Sequence, residues 1–177
     1  ELEKLAKTYE TDIQTMASEL HSKVKQYDSE AASQSEEENA KIWHIAYKNK
    51  ERSIVVATTR PETMFGDVAI AVNPNDKRYK NLIGSNFEIP ILGKSIKVIG
   101  DNYVDKDFGT GCLKITPAHD FNDFEIGKRH KLPIVNILDK NGLLNKNVPK
   151  KYQNLTPIEA RKTLLTDLKN SGALIKE

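Results

Sequence analysis

Two polar segments of this chain carry groups from which a reaction site could be built. The first is Thr58-Thr59-Arg60-Pro61-Glu62-Thr63. The second runs from Gly109-Thr110-Gly111 through Lys114, Thr116, Pro117, His119 and Asp120 to Asp123. Each sits where an apolar strand pattern breaks into polar residues. Together they offer hydroxyls, two cations and two carboxylates, a set suited to a small zwitterion joined to a phosphate chain. Pro61 holds Arg60 extended, because the residue before proline is biased away from helix. A guanidinium presented at a strand end suits a phosphate or a carboxylate. In the second segment the strand period of two puts Cys112, Lys114 and Thr116 on one face, and Leu113 and Ile115 on the other. This reading turns Lys114 and Thr116 away from the apolar side, toward a cleft. Asp120 and Asp123 stand three apart at a helix start, so their carboxylates share a face and could hold an ammonium group. Taken singly, each segment is equally ordinary structure: a polar hairpin corner, and a helix N-cap followed by an acid in the first turn.

Other chemistries are weaker. His119, Asp120, Asp123 and His130 suggest a metal site, but their spacing is not that of a zinc helix motif and no cysteine pair assists. Cys112 has no assignable base and reads as a small buried residue. There is no phosphate-cradling glycine loop and no dinucleotide fingerprint. Trp43, Tyr47, Phe65 and Tyr103 read as core, with base stacking by one of them left open.

The elements that must position these groups begin near Lys41. Residues 42–47 and 53–58 read as strands around a polar turn, and 68–72 as a third strand. A turn at Asn73-Pro74-Asn75-Asp76 precedes a short helix over 76–82. Residues 87–91, 95–99, 112–116 and 134–138 are further strands, and 120–130 a helix. Thr156 caps a helix over 156–168, with Pro157 at its first position, Glu159 as capping-box partner and Gly172 beyond its end. The pattern predicts an α+β domain: a mixed β-sheet or distorted small β-barrel with flanking helices. Ahead of it, residues 1–28 carry an apolar stripe from Leu2 to Tyr27 at spacings of three and four, which predicts a helix about 40 Å long. Residues 29–40 are acidic and low in complexity, and read as a linker. The domains are therefore expected at 1–28, 29–40 and 41–177.

Net charge is +2, but residues 1–40 carry −6, which leaves +8 on the remainder. A basic body hints at a polyanionic partner. No apolar run approaches the roughly 18 residues of a membrane span. A single cysteine excludes an internal disulfide and favours a reducing, cytoplasmic setting.

Joined in this order, the motifs resemble the editing domain of valyl-tRNA synthetases, a domain inserted into class I synthetases for branched aliphatic amino acids. The likeness runs along Ala57 to Pro74, Asp76 to Tyr79, Leu82-Ile83-Gly84, Tyr103-Val104-Asp105 and Phe108 to Pro133, and covers about residues 42–177. Leucyl relatives share the Arg-Pro first loop, but typically have apolar residues where this chain has Lys114 and Thr116. Isoleucyl relatives usually lack the arginine. Residues 1–40 match nothing in the family. The two adenylate-forming signatures of the class I catalytic domain are absent from this chain, so it is expected not to aminoacylate by itself. The resemblance implies hydrolytic editing of threonyl-tRNA(Val), with a leucyl- or isoleucyl-type editing domain, a metal-dependent phosphohydrolase and a noncatalytic tRNA-binding module as alternatives. Partners would be the 3′ end of tRNA(Val) carrying threonine and the remainder of a synthetase, with no membrane. No cofactor or metal is implied for editing, ATP serving only the absent catalytic domain.

The same resemblance distributes roles. Asp123, with Thr63 and Asp120, would stand at the reacting ester, Asp123 taking the α-ammonium. Arg60, Thr58, Thr59 and His119 would bind substrate, Arg60 together with Thr63 toward the adenosine and phosphate end. Lys114 and Thr116, with Asp120, would line the threonine side-chain pocket. A hydrophobic valine pocket rejects threonine only about 10²-fold, a recognised case in which a second sieve is needed. That second sieve must demand the hydroxyl.

Overall fold

The protein is described by a computed structural model over residues 41–177. The helix and linker expected over residues 1–40 lie outside the described residues. Seven strands form one mixed sheet: β1 (Trp43–Lys48), β2 (Ser53–Thr58), β3 (Ala69–Val72), β4 (Asn86–Glu88), β5 (Ser95–Gly100), β6 (Cys112–Ile115) and β7 (Leu174–Lys176). Their order is β2-β1-β4-β5-β3-β6, with β7 added on β1. The β3–β5 pair is parallel, and the other ladders are antiparallel. The two ends of the path, β2 and β6, come into contact without a ladder between them. The sheet is a nearly closed barrel with one unpaired seam. Among the described residues two helices, α1 (Phe121–Arg129) and α2 (Pro157–Asn170), accompany the sheet.

Strand β3 shows how the core is divided. All four of its residues are buried. Its period of two sends Ile70 and Val72 into the larger apolar cluster with Ile45, Tyr47, Val56 and Val98, and sends Ala69 and Ala71 into a smaller one with Ile99, Ile115 and Ile126. Alanines on that second face let α1 lie close, with Ile126 packed against them. On α1, Gly127 permits a similar approach: a Cβ there would stand 2.8 Å from Pro117 Cγ.

Three expectations are corrected. Residues 134–138 form no strand; only Leu138 makes an isolated bridge, to Leu144. Side chains have taken the place of a ladder. Ile137 N donates to His119 Nε2, Leu138 N to Asn136 Oδ1, and Asn145 and Asn147 amides to the carbonyls of Asn136 and Leu138. The helix expected over 76–82 is a run of turns ending in a 3-10 turn at Lys80–Leu82, because the Asp76 carboxylate captures Arg78 N and the Arg78 guanidinium. The polar corner at residues 61–66 is a fully buried 3-10 turn, Pro61–Gly66. Helix α2 keeps its expected capping box between Thr156 and Glu159, and Gly172 takes φ +68° just past its end.

The 3-10 turn is buried because α2 holds it. Arg161 Nε and Nη2 donate to the two Glu62 oxygens at 2.8 and 2.9 Å, both side chains being nearly solvent-free. Removing one partner of a buried pair costs about 3–5 kcal/mol. Arg161→Met keeps an apolar side chain of similar reach but withdraws the guanidinium from Glu62 and from the Trp43 ring, over which the guanidinium carbon stands 5.6 Å from the centroid. A stability loss in that range is expected by urea denaturation. A loss under about 1 kcal/mol would show that this pair does not secure the first loop.

Candidate functional site

The first loop leaves β2 at Thr58. Thr58 Oγ1 accepts Arg60 N at 3.0 Å; Arg60, at φ −132° and ψ 69°, is held out of helix before Pro61 but falls short of the extended backbone expected of it. The Arg60 side chain is 46% exposed; its Nη1 donates to His119 O at 3.2 Å, so the first loop is laced to the second. Thr63, on the buried turn, donates its hydroxyl hydrogen to Arg60 O at 2.9 Å.

The second loop follows β6. Asp120 caps α1, its Oδ1 accepting Asn122 N and Asp123 N. Asp123 is turned inward: its Oδ2 accepts Thr116 N at 2.8 Å. Burial pushes its carboxyl up to about 6, and the nearby Asp120 and Asp67 charges push the same way; the Thr116 N–H and Lys114 act against them. His119 accepts Ile137 N on Nε2, which leaves Nδ1 to carry the hydrogen of a neutral ring. Burial, then the Arg60 and Lys114 charges, hold its pKa below the ordinary histidine value. His130 is tied elsewhere, to Asp101 at 2.9 Å. The residues considered for a metal are thus not assembled, and no group of three or more His, Cys, Asp or Glu is placed to hold an ion among the described residues. Burial pushes the Cys112 thiol up to about 11, as befits a packed residue rather than a nucleophile.

Lys114 and Thr116 differ from expectation. They do not face away from the apolar side. Register pairs Lys114 with Ile70, so Cys112, Lys114 and Thr116 point into the barrel interior, where Cys112 joins the larger cluster. The other face of β6 is equally apolar, because α1 covers it. Lys114 and Thr116 are 7% and 1% exposed, and an acid missed in the sequence makes this tenable. Asp67 is fully buried at the entry to β3. It accepts Lys114 Nζ at 3.0 Å and Thr116 Oγ1 at 2.6 Å on one oxygen, and Tyr47 OH at 2.6 Å on the other. Lys114 Nζ also donates to Thr63 Oγ1 at 2.7 Å and to Thr116 Oγ1 at 2.5 Å. Burial raises the Asp67 carboxyl, opposed by Lys114 and the hydroxyls. Burial, and then Asp67, raise Tyr47 well above the usual phenol value. The signal available in the sequence was an acid standing directly before five consecutive apolar residues, Val68 to Val72, with a lysine in another strand still lacking a partner.

All of Thr58, Thr59, Arg60, Thr63, Lys114, Thr116, His119, Asp120 and Asp123 line one cavity of about 520 Å³ at the seam between β2 and β6. His44 lines it as well, a residue that sequence reasoning passed over; its Nδ1 is buried without a hydrogen-bond partner. Tyr103 and Phe108, 53% and 76% exposed, stand at the same cavity. The arrangement offers an anionic group beside hydroxyl oxygens on an enclosed floor, with a cation and aromatic rings in contact with solvent.

A small mixed barrel with its pocket at the seam defines a class. The family model described as "Leucyl-tRNA synthetase, editing domain" matches residues 75–172, more than half of the chain. The chain belongs to this family of synthetase editing domains. Within the family its sequence likeness is to valine--tRNA ligases. It is 54% identical to that of Legionella pneumophila (strain Lens) over 144 residues, 80% of this chain and 16% of that protein. It is 57% identical to that of Borreliella burgdorferi over 139 residues, 78% of this chain and 16% of that protein. The chain thus spans about a sixth of the length of these relatives. Among solved structures, the LeuRS of Agrobacterium radiobacter K84 agnB2, in ternary complex with tRNA and LeuAMS, superposes with a TM-score of 0.60 at 19% identity. The match covers 77% of this chain and 20% of that one, a likeness of fold.

The Asp123 carboxyl supplies a prediction. Its folded value of about 6 lies above the ordinary 3.8. The stability it contributes is therefore complete below the unfolded value and is lost as pH rises through about 6. Asp123→Asn keeps an acceptor for Thr116 N, whereas Asp123→Ala would leave that N–H buried and unmet. The melting temperature of Asp123→Asn should match the parent near pH 4 and exceed it at pH 7, by up to about 3 kcal/mol in stability. An unchanged difference across that range would contradict the buried, elevated carboxyl.

Proposed function

We propose that this chain is the editing module of a valyl-tRNA synthetase and hydrolyses threonine from the 3′ end of tRNA(Val) in the cytoplasm. One observation carries the reading: an elevated but ionisable carboxylate, Asp123, opens on the same cavity as the buried Thr63–Lys114–Thr116 group. A carboxylate ionised at neutral pH suits the α-ammonium of an aminoacyl ester. Polar groups beneath it suit a side chain that brings a hydroxyl, since a valyl methyl would leave the spare lone pairs of Thr63 and Thr116 unmatched. The half-exposed Arg60 guanidinium suits the phosphates of the nucleic-acid end, and the adjacent aromatic rings suit its bases. Likeness to valine--tRNA ligases, whose family position requires this second sieve, supports the choice of threonine.

The proposed reaction is ester hydrolysis. Water oxygen adds to the carbonyl carbon, the carbon–oxygen bond to the terminal ribose breaks, and the released ribose oxygen takes the proton that water gives up. No side chain is placed as an obvious general base. Catalysis then rests on holding a water against an already reactive ester, with the neighbouring ribose hydroxyl as a proton relay. Arg60, Thr58, Thr59 and His119 hold the substrate, while Thr63 and Asp120 flank the ester.

The test is deacylation of threonyl- and valyl-tRNA(Val) by the 177-residue chain. Threonyl ester should be hydrolysed at least about 10²-fold faster. In Asp123→Asn the threonyl rate should fall by a similar factor while the fold persists. In the parent, kcat/KM should decline about tenfold per pH unit below about 6, as the carboxylate is protonated. Equal cleavage of both esters, or an Asp123→Asn variant as active as the parent, would overturn the proposal.

A further inference from the structure

The floor of the cavity admits a complete account of its hydrogens. A threonine hydroxyl has one hydrogen and an ammonium has three. Thr63 gives its hydrogen to Arg60 O, and Thr116 gives its hydrogen to Asp67 Oδ1. Lys114 gives one each to Thr63 Oγ1, Thr116 Oγ1 and Asp67 Oδ1. Every hydrogen in this trio is engaged within the protein. What Thr63 and Thr116 have left is acceptor capacity. Other cavity residues, among them Thr58, Thr59, Arg60, Tyr103 and His119 through its Nδ1–H, can donate, but the trio cannot.

We propose that Asp67 is a specificity-positioning residue: by drawing the Thr116 hydrogen and one Lys114 hydrogen inward, it fixes the cavity floor as acceptor-only, so that a substrate side chain is selected by the hydrogen it donates. This rests on the editing reading above and adds to it the sense of the hydrogen bond. Asp67 lies beneath the cavity and outside its lining, so it acts through Thr116 and Lys114. Tyr47 OH, donating to the second Asp67 oxygen at 2.6 Å, keeps the carboxylate from rotating. Gly66 makes room for the arrangement: a Cβ there would stand 3.1 Å from Thr116 Cγ2 and 3.0 Å from Val135 O.

The experiment uses a substrate that accepts but cannot donate. In tRNA(Val) charged with 2-amino-3-fluorobutanoic acid, fluorine replaces the threonine hydroxyl at similar size. Rates are normalised to spontaneous hydrolysis, since fluorine activates the ester. The parent chain should cleave the fluoro ester at about the valyl level, at least about 10²-fold below threonyl. In Asp67→Ala, which removes the acceptor of the Thr116 hydrogen and frees it toward the cavity, the threonyl/fluoro ratio should fall to within about tenfold. Parent cleavage of the fluoro ester within a few-fold of threonyl would overturn the inference, as would an unchanged ratio in Asp67→Ala. A structural readout stands apart from activity. The Thr63 and Thr116 hydroxyl protons of the parent should be seen by NMR as slowly exchanging signals, that of Thr116 disappearing in Asp67→Ala. Rapid exchange of both in the parent would also overturn it. If neither threonyl- nor valyl-tRNA is cleaved, the editing reading fails, and the hydroxyl signals still decide where the hydrogens lie. Should Asp67→Ala not fold, the parent measurements decide alone.

Discussion

A lysine whose amine sits inside a barrel needs a counter-charge and three acceptors, and this requirement organises the site. Asp67 and Lys114 are 3.0 Å apart with exposures of 0% and 8%. Such a pair is tolerable only when every remaining lone pair and hydrogen is engaged. Tyr47 from β1, Thr63 from the 3-10 turn and Thr116 from the end of β6 satisfy it. Those partners come from three parts of the chain, so satisfying one buried charge brings both polar loops to the same place. The Glu62–Arg161 pair then fixes the first loop from behind, and the Asp123–Thr116 bond fixes the second.

Much of this was legible in the sequence, for local reasons. Strands with clear alternation or continuous apolar runs fell close to their expected places, as did α2, whose cap, proline and terminal glycine are all local signals. Both loops share one cavity, as their order and spacing suggested. The errors arose where a nonlocal partner decided the outcome. The face of β6 was correctly divided by the period of two, but which face is interior depends on α1 covering the other. Asp67 gains its role only from the register that sets Ile70 beside Lys114. Residues 134–138 have strand-like composition, yet their hydrogen bonds go to His119 and to asparagine side chains that composition cannot reveal.

The unpaired seam also has a purpose in this arrangement. A barrel closed by a β2–β6 ladder would commit the backbone at the point where the cavity opens. Leaving that edge unpaired frees the strand ends to carry Thr58, Thr59 and Arg60 on one side and Leu113 to Thr116 on the other. The sheet supplies rigidity and the gap supplies access, a division that suits the tRNA end proposed as the occupant of the pocket.

The engagement of Lys114 has a further chemical meaning. An aminoacyl ester is an electrophile, and an unprotonated amine held near one competes with water for the carbonyl carbon. A nitrogen that donates three hydrogen bonds has no lone pair to offer. The same contacts that make Lys114 part of the floor therefore disarm it as a nucleophile, and under the proposed editing function they guard the site against capturing its substrate as an amide on itself.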